Sequence, residues 1–202
     1  LAVNFIYIGE YDKGKEMLLH ILSDAEMLQD TETKALSFHN LGFLYYRQGN
    51  IEESLNYYKK ALQYKERNSA SYYITISYLA EALIANSQNK EAAKLLAEVL
   101  ASFQDQKSPR YIELKILYLE ASSTKKSLIH YLIKHGLPII QEYMNIDRGM
   151  KYLQMVAAYY EDKQDYVSAN HYLHISNQHL TNLLTNIGSP IDLKKAVVRE
   201  KQ

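Results

Sequence analysis

The sequence contains no cysteine and no tryptophan, and its 202 residues include only three prolines and seven glycines. Without cysteine the chain forms neither a disulfide framework nor a thiolate zinc site, which fits a reducing cytoplasm. The scarcity of helix breakers favours helices, and 19 tyrosines supply large side chains for packing between them. Lys plus Arg equals Asp plus Glu at 23 each, so we expect no nucleic-acid contact from this chain.

Long apolar runs are also missing. None approaches the roughly 18 residues that would suggest a membrane span, so we expect no membrane partner. No signal peptide and no initiator Met open the chain, and residues 1–5 already resemble the interior of a helix. We therefore interpret the sequence as a fragment whose N-terminal part is missing.

The sequence does contain a repeated unit of helix, short turn and helix. In the clearest copy, apolar and small residues recur at helical spacing over 36–48, and a second apolar helix follows from Ile51. Between them Gln48-Gly49-Asn50 predicts a turn, since Gly49 readily takes a positive φ at a helix end. Further copies lie at 74–100, at 150–177 and at 1–22, where the first helix is truncated.

The stretch 108–146 is a degenerate copy of the same unit. Pro109 suits the first turn of its first helix. Pro138 must bend or restart a helix near 136–138, because proline cannot donate the interior hydrogen bond.

Two positions of the unit always carry small residues, which lets antiparallel helices approach closely. They are occupied by Gly42, Ala80 and Ala157 on the first helix and by Ser54, Ala92 and Ala169 on the second. Because a single helix pair cannot bury its apolar face alone, it stacks on the next pair. We predict an all-α fold, a right-handed superhelix of stacked antiparallel helix pairs over 1–185, with 186–202 as a tail or capping helix.

The clearest copy resembles the tetratricopeptide repeat. The residues that carry this resemblance are Leu41-Gly42, Tyr45, Gly49-Asn50, Ser54, Tyr58 and Ala61. A narrower group of repeat proteins is resembled as well. The features that carry this second resemblance are the longer spacing of 38–40 residues, the run 38–42 and the segments 135–143 and 152–172. The group consists of the Gram-positive bacterial receptors for secreted signalling peptides, of the Rap, NprR, PlcR and Rgg types. The resemblance implies an α-solenoid that binds an imported short peptide in a groove, as the sensor of a quorum-sensing regulator.

The output of such a regulator is left open by the sequence. In the family that this chain resembles, a helix-turn-helix DNA reader or a three-helix phosphatase bundle lies N-terminal to the repeats. The resemblance therefore implies control of transcription or of a response-regulator pathway through a module outside this chain. The alternative is a generic scaffold that docks a protein partner or associates with a second subunit as a homodimer.

The groove is expected to be lined by residues of each first helix that lie between its core positions. Asn40 offers both a donor and an acceptor to a peptide unit, and Arg47 can bind a carboxylate with two hydrogen bonds. The resemblance implies that Asn40 contacts the peptide backbone; otherwise it bonds a neighbouring helix, and Arg47 only favours the helix dipole. The predicted peptide-binding residues are His39, Asn40, Phe43, Tyr46, Arg47, Tyr78, Glu81 and Gln154.

No pattern in the sequence predicts catalysis or metal binding. His171 and His174 share a helix face but lack a third ligand and a nearby carboxylate. Glu52-Glu53 and Asp162 lie at helix starts or turns, where negative charge suits the helix dipole. There is no Gly-rich phosphate loop and no nucleophilic-serine motif. We expect no enzyme activity, no cofactor and no metal.

Overall fold

The computed structural model describes residues 1–142, 144 and 146–187. Every regular element among these residues is helical, which confirms the all-α prediction. The chain divides into two compact units, Leu1–Ala97 and Glu98–Gln202, with the boundary inside one helix. No helix in the described part of the chain is both long enough and apolar enough to cross a membrane.

The first unit is a series of helices, and each of the first four packs against the next one along the chain. They are α1 (Ala2–Tyr7), α2 (Tyr11–Met27), α3 (Thr31–Arg47), α4 (Ile51–Gln63), α5 (Ala70–Ala85) and α6 (Asn89–Ala101), the last of which crosses the boundary. Because the turns between most of these helices are only a few residues long, successive helices run antiparallel. The predicted helix–turn–helix unit is therefore confirmed in this half of the chain.

The chain reverses direction at residues with a positive φ. Gly49 has φ +78° in the predicted turn, and Gly9 has φ +80° at the corresponding position of the truncated copy. Gln29 and Ser87 adopt φ angles of 56° and 60° at two other turns, although they carry side chains. A left-handed residue ends a helix because it lets the next amides bond the last free carbonyls.

The small residues lie where the helices approach most closely. A Cβ added to Gly42 would come within 2.7 Å of the Tyr58 ring, which is itself fully buried. Ser54, Ala80 and Ala92 are also fully buried. The prediction that small residues permit close helix packing is confirmed.

The second unit contains further helices around a separate apolar core. They are α7 (Pro109–Ser122), α8 (Lys125–Tyr131), α9 (Leu137–Glu142), α10 (Ile146–Asp162) and α11 (Tyr166–Ile187). A π-helical segment, Leu132–Gly136, joins α8 to α9. Pro138 lies just after this segment, so the helical hydrogen bonding changes where the sequence predicts a bend or restart, and the chain stays helical through it. The predicted tail, 186–202, lies outside the described residues from position 188 onwards.

Candidate functional site

Aromatic rings from three successive first helices form a row in the first unit. Tyr7 of α1 contacts Phe43 of α3 with ring centroids 5.3 Å apart, and Phe43 contacts Tyr78 of α5 at 5.8 Å. Tyr78 also meets the imidazole of His39 edge-on at 5.0 Å. We call Tyr7, His39, Phe43 and Tyr78 the aromatic wall. Tilted and edge-on contacts of this kind hold rings rigidly, which suits a binding surface.

His39 is the most enclosed polar member of the wall, with 8% of the residue exposed. Its Nδ1 lies 3.1 Å from the Thr75 hydroxyl, which itself donates a hydrogen bond to the Ser71 carbonyl. Because that hydroxyl hydrogen is already used, Nδ1–H of His39 must be the donor to Thr75. Burial lowers the pKa of His39 to about 3, and the positive charge of Lys65 adds to this effect. The ring is therefore neutral, with the lone pair on Nε2.

Asn40 lies beside the wall on α3 and is half-buried. Within the part of the chain that the structure describes, no group forms a hydrogen bond with its side-chain amide. A half-buried amide without a protein partner keeps both its donor and its acceptor for a ligand or for water. That Asn40 contacts a peptide stays a prediction.

The remaining predicted residues of the first unit lie towards the C-terminal ends of α3 and α5. Tyr46, Arg47 and Glu81 are all half-buried. The Arg47 guanidinium lies 5.5 Å from the centroid of the Tyr7 ring. The backbone carbonyl of Arg47 accepts a hydrogen bond from the Tyr11 hydroxyl at 3.1 Å. Arg47 therefore extends the aromatic wall with a positive charge.

The structure distributes the predicted set between the two units. Phe43 is 5% exposed, so this ring and His39 offer a ligand much less surface than their half-buried neighbours. Gln154 is exposed on α10 and belongs to the second unit. Tyr7 is a wall residue that the sequence analysis missed, although it lies 40 positions before Arg47 and thus at the same place in the repeat.

The second unit places ionised groups at its centre. Arg148 is 1% exposed and donates to a carboxylate oxygen of Glu113 at 2.6 Å, while Arg110 pairs with the other oxygen. Glu120 accepts from the Tyr152 hydroxyl at 2.6 Å and pairs with Lys151. Sequence patterns gave no sign of these contacts, because the partners in different helices are 31 to 35 residues apart.

Two tetratricopeptide repeat family models match the chain, one over residues 1–67 and one over 45–115. Together they cover more than half of the sequence, and the helix pairs with small residues at their contacts have the architecture of this repeat. The chain is a tetratricopeptide repeat protein.

Within this class the chain resembles regulators of the Rap and NprR types. It is 25% identical over 176 residues to the regulatory protein RapD of Bacillus subtilis (strain 168), covering 84% of this chain and 48% of RapD. It is 25% identical over 193 residues to the transcriptional activator NprA of Geobacillus stearothermophilus, covering 91% of this chain and 48% of NprA. The apo form of the quorum sensor NprR from B. thuringiensis superimposes with a TM-score of 0.69 at 20% identity, covering 89% of this chain and 52% of the NprR chain. The chain thus spans about half the length of these relatives.

Proposed function

We propose that this chain is the peptide-binding sensor domain of a cytoplasmic quorum-sensing regulator. The observation that carries the proposal is the half-buried amide of Asn40, which lacks a protein hydrogen bond beside the aromatic wall. An extended peptide has unpaired N–H and C=O groups at every residue, and a carboxamide can satisfy one of each. The neighbouring rings supply rigid apolar surface for the peptide's side chains.

The predicted site residues take two different roles in this proposal. Asn40, Arg47, Tyr78 and Glu81 touch the peptide directly, together with Tyr46. His39 and Phe43 support these side chains from within the wall, because they are largely buried.

The proposed output is control of transcription or of a response-regulator pathway through a module outside this chain. The names of the relatives support a regulatory role, since NprA is a transcriptional activator and RapD a regulatory protein. In this proposal the repeats bind ligands and catalyse no reaction. Peptide binding changes the output by favouring one conformation of the whole regulator.

The experiment that tests this function is affinity selection from a synthetic pool of randomised seven-residue peptides, followed by calorimetry on the peptides recovered. We expect micromolar or tighter binding, and Asn40→Ala should weaken it by about 1–3 kcal/mol because two buried hydrogen bonds are lost. The matched control is Asn56→Ala, which removes the same group from an exposed position on α4. A folded chain that recovers no peptide from the pool would contradict the proposal.

The alternative function, docking of a protein partner or a second subunit, is favoured by a different feature. Met27 is the last residue of α2, Leu28 follows it, and the two are 75% and 78% exposed. Large apolar side chains that are exposed side by side are more typical of an interface than of a solvated turn. Sedimentation velocity over a range of concentrations tests this function. Self-association of the parent chain that is lost in the double variant Met27→Ser, Leu28→Ser would support it. A monomer at every concentration would contradict the proposed homodimer.

A further inference from the structure

A cavity of about 390 Å³ opens in the first unit, at the N-terminal ends of α3 and α5 and beside the C-terminal end of α4. Its lining combines an apolar part and a polar part. The apolar part includes Leu36 and Tyr64, which are 52% and 40% exposed. The polar part includes Lys65 and the hydroxyls of Ser69 and Ser71, whose oxygens lie 3.2 Å apart.

Lys65 is the unusual residue of this cavity. It is half-buried, and in the described part of the chain its ammonium group has neither a hydrogen bond nor an ion pair. Burial lowers the pKa of Lys65, while Glu32 on the rim opposes the shift. Glu32 compensates only part of the cost of burying this ammonium group, and an anion bound beside it would remove much of the remainder.

The cavity adjoins the proposed peptide site. The ammonium of Lys65 is close enough to His39 for its charge to contribute to the lowered pKa of that ring. Ser71 lies one helical turn before Thr75, and its carbonyl accepts the hydrogen bond of the hydroxyl that orients His39. On α3, Leu36 precedes Asn40 by one turn. A peptide lying along the wall would therefore reach the cavity.

The charges around the cavity restrict what it can accept. Glu32 and Glu66 line it as exposed residues, so a phosphate or a diacid would be repelled. One carboxylate for Lys65, attached to an apolar group for Leu36 and Tyr64, fits both parts of the lining. We propose that this cavity binds the free C-terminal carboxylate of the peptide, together with an apolar last side chain. This inference rests on the proposed function, since it assigns the end of the same ligand.

The test uses two versions of the randomised seven-residue pool, one with free C-terminal acids and one with C-terminal amides. Each recovered peptide is then synthesised in both forms and titrated calorimetrically against the full 202-residue chain. We expect the free acid to bind about tenfold or more tightly than the amide, because a charge-assisted hydrogen bond is lost on amidation. An acidic side chain within the peptide would keep its charge in both forms, so the comparison separates the two sources of a carboxylate.

Three variants locate the effect. Lys65→Met should remove the preference for the acid and leave affinity for the amide unchanged, whereas Lys94→Met, at an exposed position of α6, should change neither. Glu32→Gln should strengthen binding of the acid about two- to fivefold, because it removes a repulsive charge of the rim. Circular dichroism confirms that each variant is folded.

Two results would overturn this inference while the proposed function stands. One is equal affinity of the chain for the acid and the amide. The other is that Lys65→Met weakens binding of the acid and of the amide equally. Failure of both pools to yield any binder would instead contradict the proposed function itself.

Discussion

The two units of the molecule bury their polar groups in different ways. In the first unit the enclosed histidine is neutral, hydrogen-bonded to a hydroxyl and surrounded by rings. In the second unit a carboxylate lies between two guanidinium groups, and Arg148 is fully enclosed. Removing one partner of a buried ion pair leaves the other charge buried and uncompensated, whereas a neutral hydrogen-bonded ring leaves no such charge behind. The two units should therefore differ in how much stability they lose when one polar group is removed.

The largest expected effect comes from removing the charge at the centre of the second unit. Glu113→Gln leaves Arg148 buried without its counter-charge, so the free energy of unfolding should fall by about 3–5 kcal/mol. Chemical denaturation monitored by circular dichroism measures this change. The matched control is Glu161→Gln on the exposed surface of the same unit, which should change stability by less than about 0.5 kcal/mol. Equal effects of the two variants would show that the buried ion pair has no special role.

A packing change in the first unit should have the next largest effect. The added methyl group of Gly42→Ala would approach the enclosed Tyr58 ring to 2.7 Å, so the helices must separate. We expect a loss of up to about 3 kcal/mol in the free energy of unfolding. Asn56→Ala, on the exposed side of α4, is the control and should be nearly neutral. A Gly42→Ala protein as stable as the parent would mean that α3 and α4 are less tightly packed than the structure indicates.

The neutral histidine predicts a dependence of stability on pH. His39 binds a proton at an ordinary pKa near 6.5 when unfolded but only at about 3 when folded. Stability is therefore complete above pH 6.5 and falls as the pH decreases towards 3, by about 2 kcal/mol at pH 5. Denaturation midpoints at pH 5.0 and 7.5 measure the loss, and His39→Gln should reduce it while the other ionisable groups contribute equally. The same loss in both proteins would contradict the prediction.

The smallest expected effect concerns a turn of the first unit. Gln29 adopts φ 56°, a conformation that costs a residue with a side chain about 1–2 kcal/mol. Gln29→Gly removes this cost, but the more flexible glycine also stabilises the unfolded chain through its entropy. We therefore expect the free energy of unfolding to rise by only about 0.5–1 kcal/mol. Gln48→Gly is the control, because Gln48 has φ −77° and should only lose stability. Stabilisation by both changes would sink the explanation from backbone strain.

The repeat spacing was enough to predict the helix pairs, the left-handed turn at Gly49 and the small residues at the contacts. Tyr7 could have been predicted as well, because it lies 40 positions before Arg47, the same spacing as between Gly9 and Gly49. His39 was predicted at the ligand surface, yet most of its imidazole is buried, because the Thr75 hydroxyl satisfies its Nδ1–H. That contact could not be predicted, because an imidazole and a hydroxyl 36 residues apart leave no periodic signal.

The ion pairs of the second unit show a different limit of sequence reasoning. Charged residues are usually exposed, and nothing in the sequence marks Glu113 and Arg148 as buried. Only the fold shows that α7 and α10 bring their charges together. Whether Asn40 and its neighbours contact a peptide stays a prediction, which the binding experiments above address.

The π-helical segment before Pro138 has a consequence for the helix that contains it. Leu128 and Ile140 are twelve positions apart, and in an uninterrupted α-helix their side chains would point about 120° away from each other. The wider turn of Leu132–Gly136 takes up part of this angle, and both side chains enter the same apolar core. The segment thus accommodates one extra residue, so deleting one residue within it would give an uninterrupted α-helix in which the two side chains lie about 20° apart and still enter the core.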